Sequence, residues 1–176
     1  MTERGEFQRL VKLDRLPEGV VEINADRTER AALARRFGLP SIERLSARVT
    51  LSPHGKDTIE AHGHLNAAFQ QRCAVSDAPF ANALDEALAI RFVPVLAAAG
   101  EDEEIEFDSS EPDEIEYEGA AIDLGEAVAQ SFGLALDPYA TGPDADQARR
   151  DSGIMDEDAP SGPFAALAAL KGNAGS

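Results

Sequence analysis

Cysteine occurs once, at Cys73, and tryptophan not at all in the 176 residues. No internal disulfide can staple this fold, and no indole can anchor its core. Aromatic residues make up only 6% of the chain, so the core must be built from Leu, Ile, Val, Ala and a few Phe. No apolar run approaches the roughly 20 residues a membrane-spanning helix needs. Met1 to Leu10 lack the basic-then-apolar order of an export signal, and a cytoplasmic location is the expectation. Neither a G-x-G-x-x-G turn nor a phosphate-loop lysine motif occurs, so nucleotide binding has no support.

Basic residues are scarce beyond Leu96. Met1 to Leu96 holds 13 Lys/Arg against 13 Asp/Glu, and Ala97 to Ser176 holds 3 against 20, so the whole net charge of −17 lies in the second part. An acidic segment repels phosphate backbones and attracts basic proteins, which favours a basic protein partner over naked nucleic acid.

With 43% hydrophobic residues the chain can bury one core. Phe7 to Leu13 and Gly19 to Ile23 alternate as strands, with Leu16-Pro17-Glu18-Gly19 as the turn between them. The period then changes. Asp26 is a helix N-cap with Glu29 three residues on; Ala32, Leu33, Arg36 and Phe37 follow at helical spacing, and Gly38 with Pro40 ends the segment. From Leu45 to Val95 the pattern is a meander. Leu45 to Leu51 and Ile59 to Leu65 should pair across the turn Ser52 to Asp57. A third strand is expected through Ala67, Phe69 and Gln71, and a fourth from Leu84 to Phe92 after the turn Ser76 to Pro79. Helix is an alternative for the Ala-rich part, Phe80 to Ala89.

Residues 97–118 read as an acidic loop in which Ile105, Phe107, Ile115 and Tyr117 alternate as a short edge strand. Asp123 with Glu126 starts a second helix, running to Leu136 and stopped by Pro138. The expected architecture is α+β: an antiparallel sheet curved toward a barrel, packed with two helices, forming a single domain over residues 1–137. Residues 138–162, rich in Asp, Gly, Pro and Ala, read as a disordered linker. A short amphipathic helix over 163–171 carries Phe164, Leu167, Leu170 and Lys171 as a candidate partner-binding stripe.

Candidate chemistry is sparse. His62 and His64 share one strand face, and Cys73 lies on the strand after them, which would suit a catalytic zinc. No second Cys stands at C-x-x-C spacing, and surface histidines with a half-buried thiol are the better reading. Nothing around Cys73 supplies a helix N-terminus to lower its pKa, so a nucleophilic role has no support. The carboxylate clusters lack calcium-loop spacing. Arg35, Arg36, Arg44, Arg48, Arg72 and Arg91 could form an RNA-facing patch, against the plainer reading of ordinary surface charge. No cofactor, catalytic group or small-molecule substrate is expected, and the residues by themselves point to a non-enzymatic interaction protein.

Three segments carry a family resemblance. Gln70-Gln71-Arg72-Cys73, then Pro79-Phe80 and Ile90-Arg91-Phe92-Val93-Pro94, resemble a C-x-R-C element, a Pro-Phe and a strand ending in Phe-x-Pro. Ala121-Ile122-Asp123-Leu124 leading to Leu134-Ala135-Leu136 is similar to an I-D-L helix ending in L-A-L-P. Pro163 to Lys171 is similar to a terminal P-F-x-x-L-x-x-L-K. Together they resemble the YceD family of large ribosomal RNA subunit accumulation proteins. The resemblance marks Arg72, Cys73, Phe80, Asp123 and Leu124 as motif positions. It implies a bacterial ribosome biogenesis factor without established catalysis, acting in synthesis, processing or stability of large-subunit ribosomal RNA. Its implied partner is a basic ribosomal protein or a pre-ribosomal particle; direct RNA contact through the Arg-bearing sheet face is the alternative. The chain departs from the pattern at Gln70, which replaces the first Cys, and at Asp137-Pro138-Tyr139-Ala140-Thr141, which lacks the Cys pairs some relatives carry. Both departures weaken a metal reading.

Overall fold

The computed structural model describes residues 5–95 and 112–153. The chain is α+β and divides into two compact units. The larger, residues 1–71 and 81–138, contains the hydrophobic core. The smaller comprises residues 72–80 and the chain from 139 onward.

Strands β1 (Leu10–Lys12), β2 (Val20–Asn24), β3 (Ser41–His54), β4 (Thr58–Arg72), β5 (Pro79–Pro94), β6 (Asp113–Tyr117) and β7 (Ala121–Asp123) join helices α1 (Arg27–Arg36), α2 (Leu124–Ala135) and α3 (Ala145–Asp151). The main sheet has the order β2-β3-β4-β5-β6. It ends in two edges among the described residues, so the barrel expected from the alternation does not close. It is also mixed, because β6 runs parallel to β5, with Phe92 opposite Ile115 and Pro94 opposite Tyr117. A parallel neighbour requires a crossover between the strands.

Two pairings differ from the sequence expectation. The first strands do not form a hairpin: β1 pairs with β7, Leu10 opposite Asp123, and β2 pairs with β3, Val20 opposite Thr50. The separate strands expected at Ile59 to Leu65 and Ala67 to Gln71 are one continuous β4, whose odd positions from Ile59 to Gln71 point inward without a break, apart from Gly63. Gly63 sits where β3 crosses closely; a Cβ there would lie 1.9 Å from the Arg48 carbonyl oxygen. The Ala-rich start of β5 is strand rather than helix.

Helix α1 starts as the sequence indicates. The Asp26 side chain accepts from the Thr28 and Glu29 amides, and Glu29 accepts from the Asp26 amide. Helix α2 buries Leu124, Val128 and Phe132, and the Phe132 ring meets Phe37 and Phe69 edge-on at 5.5 and 5.4 Å. Helix α3 lies inside the stretch expected to be a disordered linker, with Ala145 buried. The rest of that linker, the 163–171 stripe, and Ile105 and Phe107 lie outside the described residues.

The start of α2 is held by one carboxylate. Asp123 Oδ1 accepts from the Gly125 and Glu126 amides and from the Arg9 amide at 2.8 Å, while the Leu124 amide donates back to the Arg9 carbonyl. The approach is so close that a Cβ on Gly125 would lie 2.2 Å from the Phe7 carbonyl oxygen. Arg9 continues the junction, donating from both terminal nitrogens to Glu29 and holding that carboxyl below its usual range. Arg36 spans α1 to α2 by a bidentate pair with Glu126.

Asp123→Ala is therefore expected to cost about 2–3 kcal/mol, a lost cap plus an unpartnered Arg9 amide. Gly125→Ala should cost about 3 kcal/mol or more, because backbone rather than a movable side chain blocks the new methyl. Urea unfolding of both variants checks the order.

Candidate functional site

The motif positions fall into two groups. Asp123 and Leu124 belong to the α2 junction, where Leu124 is fully buried and the Asp123 carboxylate is occupied by three amides. Both act on the fold.

Arg72, Cys73 and Phe80 share the smaller unit. Beyond β4 the chain turns through residues 73–78: the Cys73 amide donates to the Ala78 carbonyl, and the Asp77 amide to the Cys73 carbonyl. Asp77 takes φ 57° at this bend, a conformation Asp tolerates better than most residues. Arg72 clamps the turn, its Nη1 donating to the Asp77 carbonyl at 3.0 Å and to its carboxylate at 3.1 Å. Residues 139–142 lie alongside, with the Ala74 amide donating to the Ala140 carbonyl and Gly142 against the Phe80 ring. The Arg72-Cys73 element and residues 139–142, far apart in sequence, are thus neighbours.

The buried Cys73 thiol is held down to a pKa of about 7, first by the Ser76 hydroxyl and then by the backbone N–H groups of Gly142, Ser76 and Val75. The sequence offered no helix N-terminus to do this, and none does; a turn supplies the donors instead. This environment stabilises a thiolate.

Gln71, not singled out as a site residue from sequence, is the buried polar side chain of the described residues. Its amide nitrogen donates to the Asp137 carbonyl and its oxygen accepts from Asn82. The signal was its place between Phe69 and Cys73 on the inward parity of β4.

His62 and His64 project into solvent beside Glu60 and Asp85. Among the described residues no three His, Cys, Asp or Glu side chains gather as metal ligands. The arginines expected on the sheet face are mostly engaged: Arg48 with Glu22, Arg72 with Asp77, and Arg91 with Glu60 and Glu114. Arg36 pairs with Glu126 and Glu6. Of this set only the Arg35 and Arg44 side chains have no hydrogen-bond or ion-pair partner among the described residues. No helix of the described residues is long and apolar enough to cross a membrane.

A family model described as "Large ribosomal RNA subunit accumulation protein YceD" matches residues 61–171 of this chain. No curated protein and no solved structure matches it.

The thiolate environment sets a pH dependence. The thiol pKa is lowered from its ordinary 9.0 to about 7 in the folded chain, so the unfolded state binds more protons between those values. Stability should therefore rise with pH across that window and lose this contribution as pH falls through about 7. Thiolate ultraviolet absorbance should titrate near pH 7 in native protein and near 9 in denaturant. Ser76→Ala should move the native midpoint upward.

Proposed function

The chain belongs to the YceD family of large ribosomal RNA subunit accumulation proteins, and on that premise we propose that it acts by binding rather than by catalysis, through a basic ribosomal protein of the pre-ribosomal particle. The family's role concerns the accumulation of large-subunit ribosomal RNA. The observation that supports the protein-partner reading is the pairing of three of the four sheet arginines, Arg44 being the exception. Arg48, Arg72 and Arg91 each face a carboxylate, which offsets part of the attraction they offer to a phosphate. Direct RNA binding through the sheet face is the weaker reading for that reason.

The acidic run Glu101-Asp102-Glu103-Glu104 supplies the complementary charge for a basic protein, and the Phe164, Leu167 and Leu170 stripe supplies an apolar anchor. A nine-residue helix is too short to persist alone, since isolated helices below roughly 12–15 residues are marginal in water.

Capture of a basic ribosomal protein from cell lysate should survive RNase and fall when Glu101 to Glu104 are neutralised. Capture abolished by RNase alone would count against a protein partner. Phe164→Ala with Leu167→Ala should leave the melting temperature nearly unchanged while reducing accumulation of large subunits in cells. A loss of several kcal/mol, the usual cost of removing two buried large side chains, would instead place the stripe in the chain's own core.

A further inference from the structure

Helix α1 carries its basic residues asymmetrically. Arg27, Arg30, Ala31, Ala34 and Arg35 recur at i, i+3, i+4, i+7 and i+8, and therefore share one face. That face opens on a cleft of about 390 Å³ against the start of β3, with the three arginines at its rim and Ala31, Ala34 and Ile42 among its small or apolar walls. No carboxylate lines it. Of the nearest acids along the chain, Glu29 is paired with Arg9, while Asp26 accepts from the Thr28 and Glu29 amides and Glu43 from the Ser41 hydroxyl at the cleft wall, bonds that leave both carboxylates charged.

The arginines differ in kind from those on the sheet. Arg27 and Arg35 are exposed, and their side chains have no hydrogen-bond or ion-pair partner among the described residues. Arg30 is half-buried and steadied by donation from Nη1 to the Ala25 carbonyl at 2.7 Å, an acceptor that leaves its charge unneutralised. Arg27 and Arg35 stand eight residues apart, so the rim extends about 12 Å along the helix axis.

We propose that this α1–β3 cleft, rimmed by Arg27, Arg30 and Arg35, is a binding site for the phosphate backbone of RNA. Guanidinium groups meet phosphate oxygens bidentately, and here three of them line one cleft with no carboxylate among its lining residues. The contact is sequence-independent, because the walls offer small aliphatic side chains and no array of groups to read base edges. Choosing RNA over an acidic peptide rests on the family's role in large-subunit ribosomal RNA accumulation. The cleft adds a local RNA contact to the protein contact proposed above. It places that contact on α1, away from the sheet arginines.

The test measures binding of a fluorescein-labelled RNA hairpin to the full chain across a range of about 50 to 200 mM salt. The double variant Arg27→Gln with Arg35→Gln should keep the native melting temperature, bind RNA more weakly, and lower the slope of log affinity on log salt by about two, one per phosphate contact. A control pair, Arg48→Gln with Arg149→Gln, removes the same net charge from arginines already paired with Glu22 and Asp146. It should leave the slope nearly unchanged. No measurable RNA binding by the native chain, or equal loss in both pairs, overturns the cleft. RNase-resistant capture of a basic protein could still persist in either case, so failure here is distinguishable from failure of the protein-partner reading.

Discussion

The Asp123 carboxylate ties together the start of α2 and the segment before β1. One oxygen caps α2 through two amides and also receives the amide of Arg9, more than a hundred residues earlier in the chain. This fixes β1 against β7 and places the Arg9 side chain to grip Glu29 at the start of α1. Gly125 is required because the Phe7 backbone passes where any side chain would stand. Once that junction closes, Phe132 lies between Phe37 and Phe69, and α1, α2 and β4 share one core. The Ile122-Asp123-Leu124 motif is thus explained by folding, without a ligand.

Local signals were legible wherever the chemistry is local. The capping box at Asp26 and Glu29, the Asp123 cap and the inward parity of β3 all follow from short-range spacing. Pairing between distant segments was not. The turn residues Leu16 to Gly19 suggested a hairpin, yet β1 leaves its neighbour for β7 because the Asp123 side chain and the Leu124 amide offer Arg9 two long-range bonds that no local pattern reveals. The break imposed between Leu65 and Ala67 had no turn chemistry to justify it, and the unbroken inward parity down to Phe69 and Gln71 marked one long strand. A parallel β6 could not be anticipated from alternation alone, since Ile115 and Tyr117 alternate equally well in either direction.

The same division holds for the candidate sites. The sequence marked Arg72 and Cys73 by pattern, but it could not show that a turn would aim N–H groups and the Ser76 hydroxyl at the sulfur. It grouped six arginines as one surface. The structure separates them into four ion-paired residues, Arg36, Arg48, Arg72 and Arg91, and two whose side chains have no partner among the described residues, Arg44 on β3 and Arg35 on α1, of which Arg35 joins Arg27 and Arg30 around a cleft that no carboxylate lines. Charge counted along a sequence does not distinguish a neutralised arginine from an available one.

The central claim is that this chain supports large-subunit RNA accumulation by stoichiometric binding to an assembling particle. Gradient sedimentation of cell extract, with quantitation of the chain in each fraction, tests it most directly. The account predicts that the chain comigrates with large-subunit precursors in amounts comparable to the precursor itself and is absent from mature subunits. A chain found only at the top of the gradient, free of precursors while large-subunit RNA still depends on its presence, would contradict it.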